Sequence, residues 1–536
     1  MRLFLLLFIS VIITGCQPND AATDDSVTQQ RYTEPHRNQF HFSPDSMWMN
    51  DPNGMVYYEG EYHLFYQFYP DSNVWGPMHW GHAVSEDLVS WEHLPIALYP
   101  DSLGLIFSGS AVIDWENTSG FGSEENPPMI AIFTHHNMDG ERAGRNDFQY
   151  QSIAYSLDKG RSWTKYEGNP VVPNPGIRDF RDPKVIWDED SEQWVMVFAA
   201  WDHVKLYGSP NLKDWTHLSD FGREWGSHEG VWECPDLFPM VLEGSDEKQW
   251  VLLVSVQAGS PNGGTGAQYF VGNFDGEDFK VAESFQAAVR PDEVLPGESI
   301  NKGERTVWVD YGRDNYAGVT WSDIPAEDGR RLFLGWMSNW QYATVTPTER
   351  WRSAMTLPRS LALVGTDQGP RLRTQPVNEL KKLEGKPLEL QQNGDELIAE
   401  GPVNQSRWRF AFDPNAEGVN EFGLELSNAL GEKIVVGFDV ATQRYFTDRT
   451  QTRLANFHEQ FATQRHYAPR AAANQEEVTA LLFVDAASIE LFTDEGLTVM
   501  TDIYFAEAPL TKARVYATGG TVEKSGVEAV AVNSIW

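Results

Sequence analysis

The sequence predicts an all-β protein, in which an N-terminal five-bladed β-propeller is followed by a C-terminal β-sandwich. Three observations support this prediction. From about residue 32, short apolar and aromatic runs alternate with turn residues, and no segment before about residue 370 has sustained helical periodicity. A polar turn that leads to a tryptophan recurs at intervals of 72 and 52 residues. Beyond about residue 380, apolar and polar residues alternate with period two, which is typical of antiparallel sheets.

The first sixteen residues have the pattern of an export signal rather than of a folded domain. Arg2 supplies a positive charge, and residues 3–13 form an apolar run too short to span a bilayer in a mature protein. The segment Ile13-Thr-Gly-Cys16 resembles a bacterial lipobox, which implies cleavage before Cys16, lipidation of its thiol and a lipoprotein anchored at the outer membrane or cell surface. Ordinary signal-peptidase cleavage, with Cys16 incidental, is the alternative. Residues 17–31 are polar and are predicted to be a flexible tether.

Residues 32–362 are predicted to form the propeller. Two apolar runs on either side of Glu59-Gly60 predict a β-hairpin. The recurring turns, at residues 85–91, 156–163 and 209–215, each join a strand end to an aromatic strand start, and residues 273–279 resemble a fourth copy. This spacing fits four-stranded units with loops of variable length, and the length of the region predicts five of them. A large β-sandwich is the alternative on pattern alone.

The rest of the chain is predicted to be a linker and a second domain. Residues 363–380 carry turn and charged residues and are assigned to the linker. The runs at residues 408–412, 433–438 and 488–493 alternate in period two, so residues 381–536 are predicted to be a β-sandwich.

The charge balance restricts the possible partners. The chain of 536 residues has 41 Lys and Arg against 77 Asp and Glu, a formal net charge of −36. A surface this acidic repels phosphate backbones, which excludes nucleic acid as a partner and favours a neutral substrate. Two cysteines cannot build a disulfide framework. The sequence gives no indication of the oligomeric state.

Three acidic residues stand at equivalent places in the pattern, at the predicted strand starts of three different blades: Asp51, Asp182 and Glu233. Asp51 and Asp182 each precede a proline, which favours an extended backbone at the carboxylate. Taken singly, each carboxylate is more typical of a structural position, in a turn for Asp51 and Asp182 and at a strand edge for Glu233, than of a functional site. Strand starts converge on a propeller's axis, and converging carboxylates repel one another, so this pattern indicates catalysis or a metal site. The spacing fits neither a calcium loop nor a zinc site, so no metal is predicted.

Cys234 lies beside one of these carboxylates. We expect it to be a buried packing residue, because no signature of a cysteine nucleophile accompanies it.

Eight short motifs carry a family resemblance that covers about residues 36–505. They are Trp48-Met-Asn-Asp-Pro-Asn-Gly54, Met78-His-Trp-Gly-His82, Phe107-Ser-Gly-Ser110, Arg181-Asp-Pro183, Glu233-Cys-Pro235, Asp310-Tyr-Gly312, Gly335-Trp-Met337 and Met355-Thr-Leu-Pro-Arg359. Together they resemble glycoside hydrolase family 32, the invertase, levanase and inulinase family. The fold of that family, a five-bladed propeller with a β-sandwich, agrees with the fold predicted above.

The resemblance implies retaining hydrolysis of β-fructosides without a cofactor. By motif match, Asp51 is the nucleophile, Glu233 the acid/base and Asp182 the transition-state stabiliser that binds sugar hydroxyls. Seven further positions match residues that line the family's terminal fructose pocket, and the two tryptophans among them are expected to stack on sugar. They are Asn50, Gln67, Trp75, Phe107, Ser108, Arg181 and Trp336.

The expected activity is that of an exo-acting enzyme that releases fructose from the ends of levan or inulin, and from sucrose. Residues 232–239, 261–264 and 268–275 resemble levanases and exo-inulinases more than sucrose-specific invertases. A sucrose-specific invertase, a fructosyltransferase and a non-catalytic fructan-binding lipoprotein remain alternatives. The sequence does not distinguish levan from inulin.

Overall fold

A computed structural model describes residues 32–289, 306–472, 477–521 and 526–536. The predicted leader, Cys16 and the predicted tether lie outside the described residues. In these ranges the α-helices are Met138–Arg142 and Glu283–Val289, and the 3-10 helices are Ala343–Val345, Asn378–Leu383, Ala455–Phe457 and Asp494–Gly496. None of the helices in the described part of the chain is long and apolar enough to cross a membrane.

Five separate antiparallel sheets follow one another along the described chain and form the blades of the propeller. Each blade begins with its innermost strand. Blade 1 contains Met47–Tyr58, Glu61–Tyr69, His79–Ser85 and Glu92–Leu98, with Trp351–Arg352 added parallel to the inner strand. Blade 2 contains Leu105–Ile113, Met129–His136, Gln149–Ser156 and Thr164–Lys165. Blade 3 contains Phe180–Asp188, Gln193–Ala200, Val204–Ser209 and Thr216–Phe221. Blade 4 contains Trp232–Val241, Lys248–Val256, Gly266–Phe274 and Phe279–Val281. Blade 5 contains Tyr316–Thr320, Arg331–Met337, Arg359–Thr366 and Gly369–Pro376, with Ala354–Met355 paired to its second strand.

The recurring turn connects the third strand of a blade to the fourth. In blades 1 to 3 a tryptophan closes the turn by donating its indole N–H to the carbonyl three residues earlier. The pairs are Trp91 to Leu88 at 3.1 Å, Trp163 to Gly160 at 3.0 Å and Trp215 to Leu212 at 3.0 Å. The sequence repeat is therefore the blade repeat.

The predicted linker at residues 363–380 is wrong for most of its length. Arg359–Thr366 and Gly369–Pro376 are the two outer strands of blade 5, so the propeller extends to Pro376. The turn residues between them mark a hairpin, and Leu361, Leu363 and Leu372 alternate into the core as strand residues do.

Beyond the propeller, the described residues form two sheets packed face to face around an apolar core. One sheet has, in spatial order, Glu384–Pro387, Glu528–Val532, Ser406–Phe412, Val478–Asp485, Ser488–Thr493 and Thr498–Ile503. The other has Gln391–Asn393, Glu396–Glu400, Lys512–Thr518, Glu421–Ser427, Lys433–Asp439, Arg444–Gln451 and His466–Pro469. This is the predicted β-sandwich.

A buried group of charged residues, the interdomain cluster, joins the two domains: His41, Asp310, Arg359, Asp485 and Glu490. Arg359 Nη1 lies 2.9 Å from Asp310 Oδ2, and its Nη2 lies 2.6 Å from Glu490 Oε2. His41 Nδ1 lies 2.7 Å from Asp485 Oδ2, and its Nε2 lies 3.0 Å from Glu490 Oε1. Because the sandwich supplies Asp485 and Glu490, these contacts fix the propeller against it.

Candidate active site

The inner strand of every described blade carries a β-bulge at the same place. In blade 1, Met49 pairs with Phe68 and Pro52 with Tyr66, so Asn50 and Asp51 together face the single residue Gln67. The corresponding bulges of blades 2 to 5 are Phe107-Ser108, Asp182-Pro183, Cys234-Pro235 and Ala317-Gly318. A bulge bends its strand and redirects the side chains around it, and bulges are common beside active sites. Ten bulge residues therefore meet near the axis at one end of the propeller.

The three predicted carboxylates come from three different positions relative to these bulges. Asp51 is the second residue of its bulge, Asp182 is the first of its own, and Glu233 is the residue before one. Arg181 and Tyr316 occupy the position of Glu233 in the neighbouring blades. The three carboxylates thus stand at the starts of inner strands in three different blades, as expected, but they differ by one or two residues in their place relative to the bulge.

Three bulges begin with a non-glycine residue in the left-handed region, at a φ of +66° for Asp182, +46° for Cys234 and +52° for Ala317. Such a backbone costs about 1 kcal/mol or more per residue and persists where its surroundings fix it. Here each N–H donates to a side chain of the preceding blade. The acceptors are Thr134 Oγ1 at 3.0 Å, Asp182 Oδ2 at 3.1 Å and Ser255 Oγ at 3.0 Å, respectively.

The Asp51 carboxylate is held by two short polar contacts. Ser108 Oγ donates to Oδ2 at 2.6 Å, and Asn50 Nδ2 donates to Oδ1 at 2.9 Å. Asn50 is itself fixed by the Trp48 indole N–H, 2.7 Å from its Oδ1. Burial raises the pKa of Asp51, and the charge of Glu233 adds to this, whereas the hydrogen bonds from Ser108 and Asn50 favour the ionised form.

Asp182 is almost fully buried between blades 3 and 4. Its Oδ2 accepts the backbone N–H of Cys234 and lies 3.8 Å from Arg181 Nε. Burial raises the pKa of Asp182, and although Arg181 opposes this shift, the nearby charges of Glu233 and Asp51 reinforce it. A carboxyl group in this position is ready to exchange a hydrogen bond with a polar ligand.

Both oxygens of Glu233 are occupied by donors. Arg181 donates to Oε1 from Nη2 at 2.8 Å and from Nε at 3.2 Å, and the Tyr316 hydroxyl donates to Oε2. The same guanidinium donates to Asp179 Oδ1 at 2.5 Å and to Gln149 Oε1 at 3.3 Å. Arg181 is thus the cation that holds Glu233 in place, and Asp179 and Gln149 hold Arg181.

Cys234 lies in the middle of these groups, and we call Asp51, Asp182, Glu233 and Arg181 the carboxylate cluster. The Cys234 thiol is 3.5 Å from Asp51 Oδ2 and 3.7 Å from Asp182 Oδ2. It is buried, as expected, and burial together with the three carboxylates raises its pKa well above the usual value. The thiol therefore stays protonated and separates two like charges.

The remaining predicted pocket residues surround the cluster. Gln67 is buried opposite the bulge of blade 1, and its Nε2 has no hydrogen-bond partner within the described residues. Trp75 is 36% exposed and meets Phe107 edge to face, with ring centres 6.1 Å apart. Trp336 is fully buried against the rings of Trp48 and Trp340, so it presents no open face for a sugar.

Four residues that hold the cluster together were not predicted from the sequence: Thr134, Gln149, Asp179 and Tyr316. Asp179 and Tyr316 carried a usable signal, because Asp179 lies two residues before Arg181 and Tyr316 occupies the Glu233 position of the next blade. Thr134 and Gln149 come from middle strands of blade 2 and carry no local signal. In the described ranges, no group of three or more His, Cys, Asp or Glu side chains is arranged to hold a metal ion.

Comparison with known proteins identifies relatives over nearly the whole chain. The family model described as glycosyl hydrolases family 32 N-terminal domain matches residues 41–376, and its C-terminal counterpart matches residues 371–534. The chain is 45% identical over 524 residues to a levanase of Bacillus subtilis, an alignment that covers 96% of this chain and 73% of the relative. It is 38% identical over 533 residues to an extracellular exo-inulinase of Aspergillus niger, covering 94% and 96% of the two chains. The crystal structure of an exo-inulinase from Aspergillus awamori superposes with a TM-score of 0.84 at 36% identity, covering 94% of this chain and 100% of the other.

Proposed function

The chain belongs to glycosyl hydrolase family 32, and from this membership we propose that it is an exo-acting β-fructosidase that releases fructose from fructans and from sucrose. It is a glycoside hydrolase, and similar proteins carry the names levanase and exo-inulinase. The observation that carries the proposal is the meeting of Asp51, Asp182 and Glu233 around Cys234, with Arg181 as the cation beside Asp182 and Glu233.

We propose a double displacement in which Asp51 is the nucleophile. Its carboxylate attacks the anomeric carbon of the terminal fructosyl unit, the bond to the leaving oxygen breaks, and Glu233 donates its proton to that oxygen. Glu233 then takes a proton from water, which attacks the fructosyl-enzyme ester and frees Asp51. The hydrogen bonds from Ser108 and Asn50 favour the ionised form of Asp51 and orient it for the attack. The product keeps the β configuration.

Arg181 links the other two carboxylates of the cluster. It donates twice to Glu233 Oε1, and its Nε lies 3.8 Å from Asp182 Oδ2. We propose that Asp182 binds sugar hydroxyls beside it, because its buried carboxyl is next to Arg181 and accepts the Cys234 N–H on one oxygen only.

The test of the proposed activity is a product analysis with sucrose, inulin and levan. Chromatography is expected to show free fructose from the first minutes, with little intermediate oligosaccharide. Proton NMR of a fresh digest is expected to show β-fructose before mutarotation. Early accumulation of di- to pentasaccharides would indicate endo action, and initial α-fructose would contradict the assignment of Asp51 as nucleophile.

We also propose that the protein is exported and anchored by lipid at Cys16. The relative named extracellular exo-inulinase supports export, and the Ile13-Thr-Gly-Cys16 pattern supports the anchor. A single acyl chain binds a bilayer only marginally, so a stable anchor requires more than one chain on the cysteine. Cys16→Ser is expected to move the protein to the soluble fraction or to block its processing. Unchanged membrane fractionation of this variant would contradict the anchor.

A further inference from the structure

Trp201 is an exposed aromatic residue at the end of the propeller that holds the carboxylate cluster. It lies in the turn between the second and third strands of blade 3, where Ala200 pairs with Phe180, the residue before Arg181. Half of its side chain, 50%, is exposed, and no hydrogen bond or ring contact of its indole is found within the described residues. A single exposed apolar residue is ordinary, so its exposure alone shows little. Its position carries the argument.

The backbone of Trp201 is fixed to both strands that supply the acid and its cation. Its N–H donates to the Asp179 carbonyl at 2.8 Å, and its carbonyl accepts the Trp232 N–H at 2.7 Å. The Asp179 side chain binds Arg181, and Trp232 directly precedes Glu233. The φ of Trp201 is +68°, a left-handed conformation that glycine adopts freely and tryptophan rarely does. The turn therefore places Trp201 beside the chain segments that carry Arg181 and Glu233, in spite of its backbone strain.

The proposed reaction indicates which part of the substrate passes close to Trp201. The leaving part of the substrate departs past the acid that protonates it, which under the proposed function is Glu233. Asn50 and Ser108, which hold Asp51, stand on blades 1 and 2, whereas Trp201 stands on blade 3 beside blade 4. Sugar rings have apolar C–H faces, and an exposed indole has a flat apolar surface against which such a face can pack.

We propose that Trp201 binds the part of a fructan chain that lies beyond the fructosyl unit being cleaved, and so favours fructan chains over sucrose. The inference rests on the proposed function and adds a specificity-determining residue to it. Sucrose has a single sugar ring beyond the cleaved bond, whereas a fructan has many, so the contribution of the indole grows with chain length.

The test removes the indole of Trp201 by substitution with glycine, which adopts the left-handed backbone of this position without strain. Trp201→Gly is expected to fold, since glycine relieves the left-handed strain. Its kcat/KM on inulin or levan is expected to fall about fivefold to tenfold, mainly through KM, in line with the loss of one aromatic contact. Its kcat/KM on sucrose is expected to stay within about twofold, and Trp201→Phe is expected to keep most of the activity on fructan.

Trp115 provides a matched control, because its side chain is 51% exposed. It lies beside Tyr58, seven residues along the inner strand from Asp51, roughly 20 Å away at the other end of the propeller. Trp115→Ala is expected to leave kcat/KM unchanged on both sucrose and fructan. Equal losses on sucrose and fructan in Trp201→Gly, or no loss on either, would overturn the inference. A wild-type enzyme that releases no fructose from either substrate would overturn the proposed function, and the inference with it.

Discussion

The carboxylate cluster and the interdomain cluster are both buried and both rich in acidic residues, yet they affect their carboxyl groups in opposite ways. Among the described residues, Asp182 and Glu233 share the guanidinium of Arg181, whereas the printed contacts of Asp51 are with Ser108, Asn50 and Cys234. The pKa values of Asp51 and Asp182 are both raised. In the interdomain cluster the contacts of Arg359 and His41 hold the pKa of Glu490 below its usual value, although its burial opposes them.

Backbone groups widen this difference. Glu490 accepts the Leu357 N–H at 2.7 Å, and Asp485 accepts the N–H groups of Gln39 and Phe40 at 2.7 and 2.9 Å. The three carboxylates of the interdomain cluster thus have two cations and several backbone N–H groups as partners, and these contacts fix two domains in place. The carboxylate cluster keeps an excess of negative charge, which lowers stability and leaves groups able to exchange protons and attack a substrate.

If the excess charge serves catalysis, neutralising it should abolish turnover without unfolding the protein. Asp51→Asn and Glu233→Gln are each expected to lower kcat about 10²–10⁴-fold or more, with thermal unfolding unchanged or shifted upward. Steady-state rates on sucrose and a melting curve measure both quantities. An activated aryl fructoside should partly restore the first chemical step of Glu233→Gln and not that of Asp51→Asn. The exposed neighbour Glu229 serves as control. If Glu233→Gln retained more than about a tenth of kcat on fructan, its assignment as the acid would be wrong.

Breaking the interdomain cluster should instead lower the stability of the protein and leave kcat nearly unchanged. Arg359→Met leaves the buried Asp310 without its cation and Glu490 with His41 alone, and is expected to lower the free energy of unfolding by about 3–5 kcal/mol. The kcat of the molecules that remain folded should change by less than about twofold, because no catalytic contact is lost. Urea unfolding and activity at low temperature measure the two effects.

Arg330→Met is the matched control for Arg359→Met, since Arg330 pairs with Asp328 and Glu379 at partly exposed positions. Its loss is expected to cost at most about 1 kcal/mol. Equal destabilisation by the two substitutions would show that burial of the interdomain cluster adds nothing.

The pH dependence of stability separates the clusters further. The hydrogen bonds that His41 donates to Asp485 and Glu490 overcome its burial and raise its pKa to about 9, from an ordinary 6.5. The protonated imidazole therefore stabilises the fold fully below pH 6.5, and this contribution, up to about 3 kcal/mol, is lost as the pH rises through 9.

His41→Gln should accordingly be less stable than the wild type at pH 6 and show a flatter decline towards pH 9. Urea midpoints at half-unit pH steps measure this. The raised pKa of Asp182 also makes stability fall as the pH rises, but this loss begins at a lower pH, just above the ordinary pKa of aspartate. Asp182→Asn should remove this loss and leave the loss due to His41, above pH 6.5, unchanged. In the double variant His41→Gln/Asp182→Asn, a slope above pH 6.5 that matches that of Asp182→Asn would contradict the assignment to His41.

The smallest expected effect concerns the support of Arg181. Asp179→Asn weakens the charge-assisted bond that orients the guanidinium, and kcat/KM on sucrose is expected to fall about tenfold. The pH profile should shift as well, since Arg181 also contacts Glu233 and Asp182. Asp202→Asn, at a partly exposed carboxylate in the turn after the second strand of blade 3, should change neither. A fall in kcat/KM without a change in the pH profile would indicate that Asp179 acts only on folding.

The sequence by itself determined the all-β class, the blade repeat, the sandwich, and the three carboxylates with Arg181. Local sequence patterns predict these features: strand periodicity, a turn closed by tryptophan, and short motifs around each carboxylate. The boundary at Pro376 was also within reach, because the alternation of residues 359–376 is that of two strands, although its hairpin turn resembles a linker.

Only the tertiary structure decided how the carboxylates meet. One extra residue in each inner strand reverses which side chains face the axis, and cross-blade bonds such as Asp182 N–H to Thr134 Oγ1 hold that bulge. These partners stand 48 residues apart, and His41 and Asp485 stand 444 apart. A local pattern records the preferences of neighbouring residues and carries no information on pairs brought together by closing a propeller or docking a second domain, so the register of the site and the balance of the buried charges emerge only in the folded molecule.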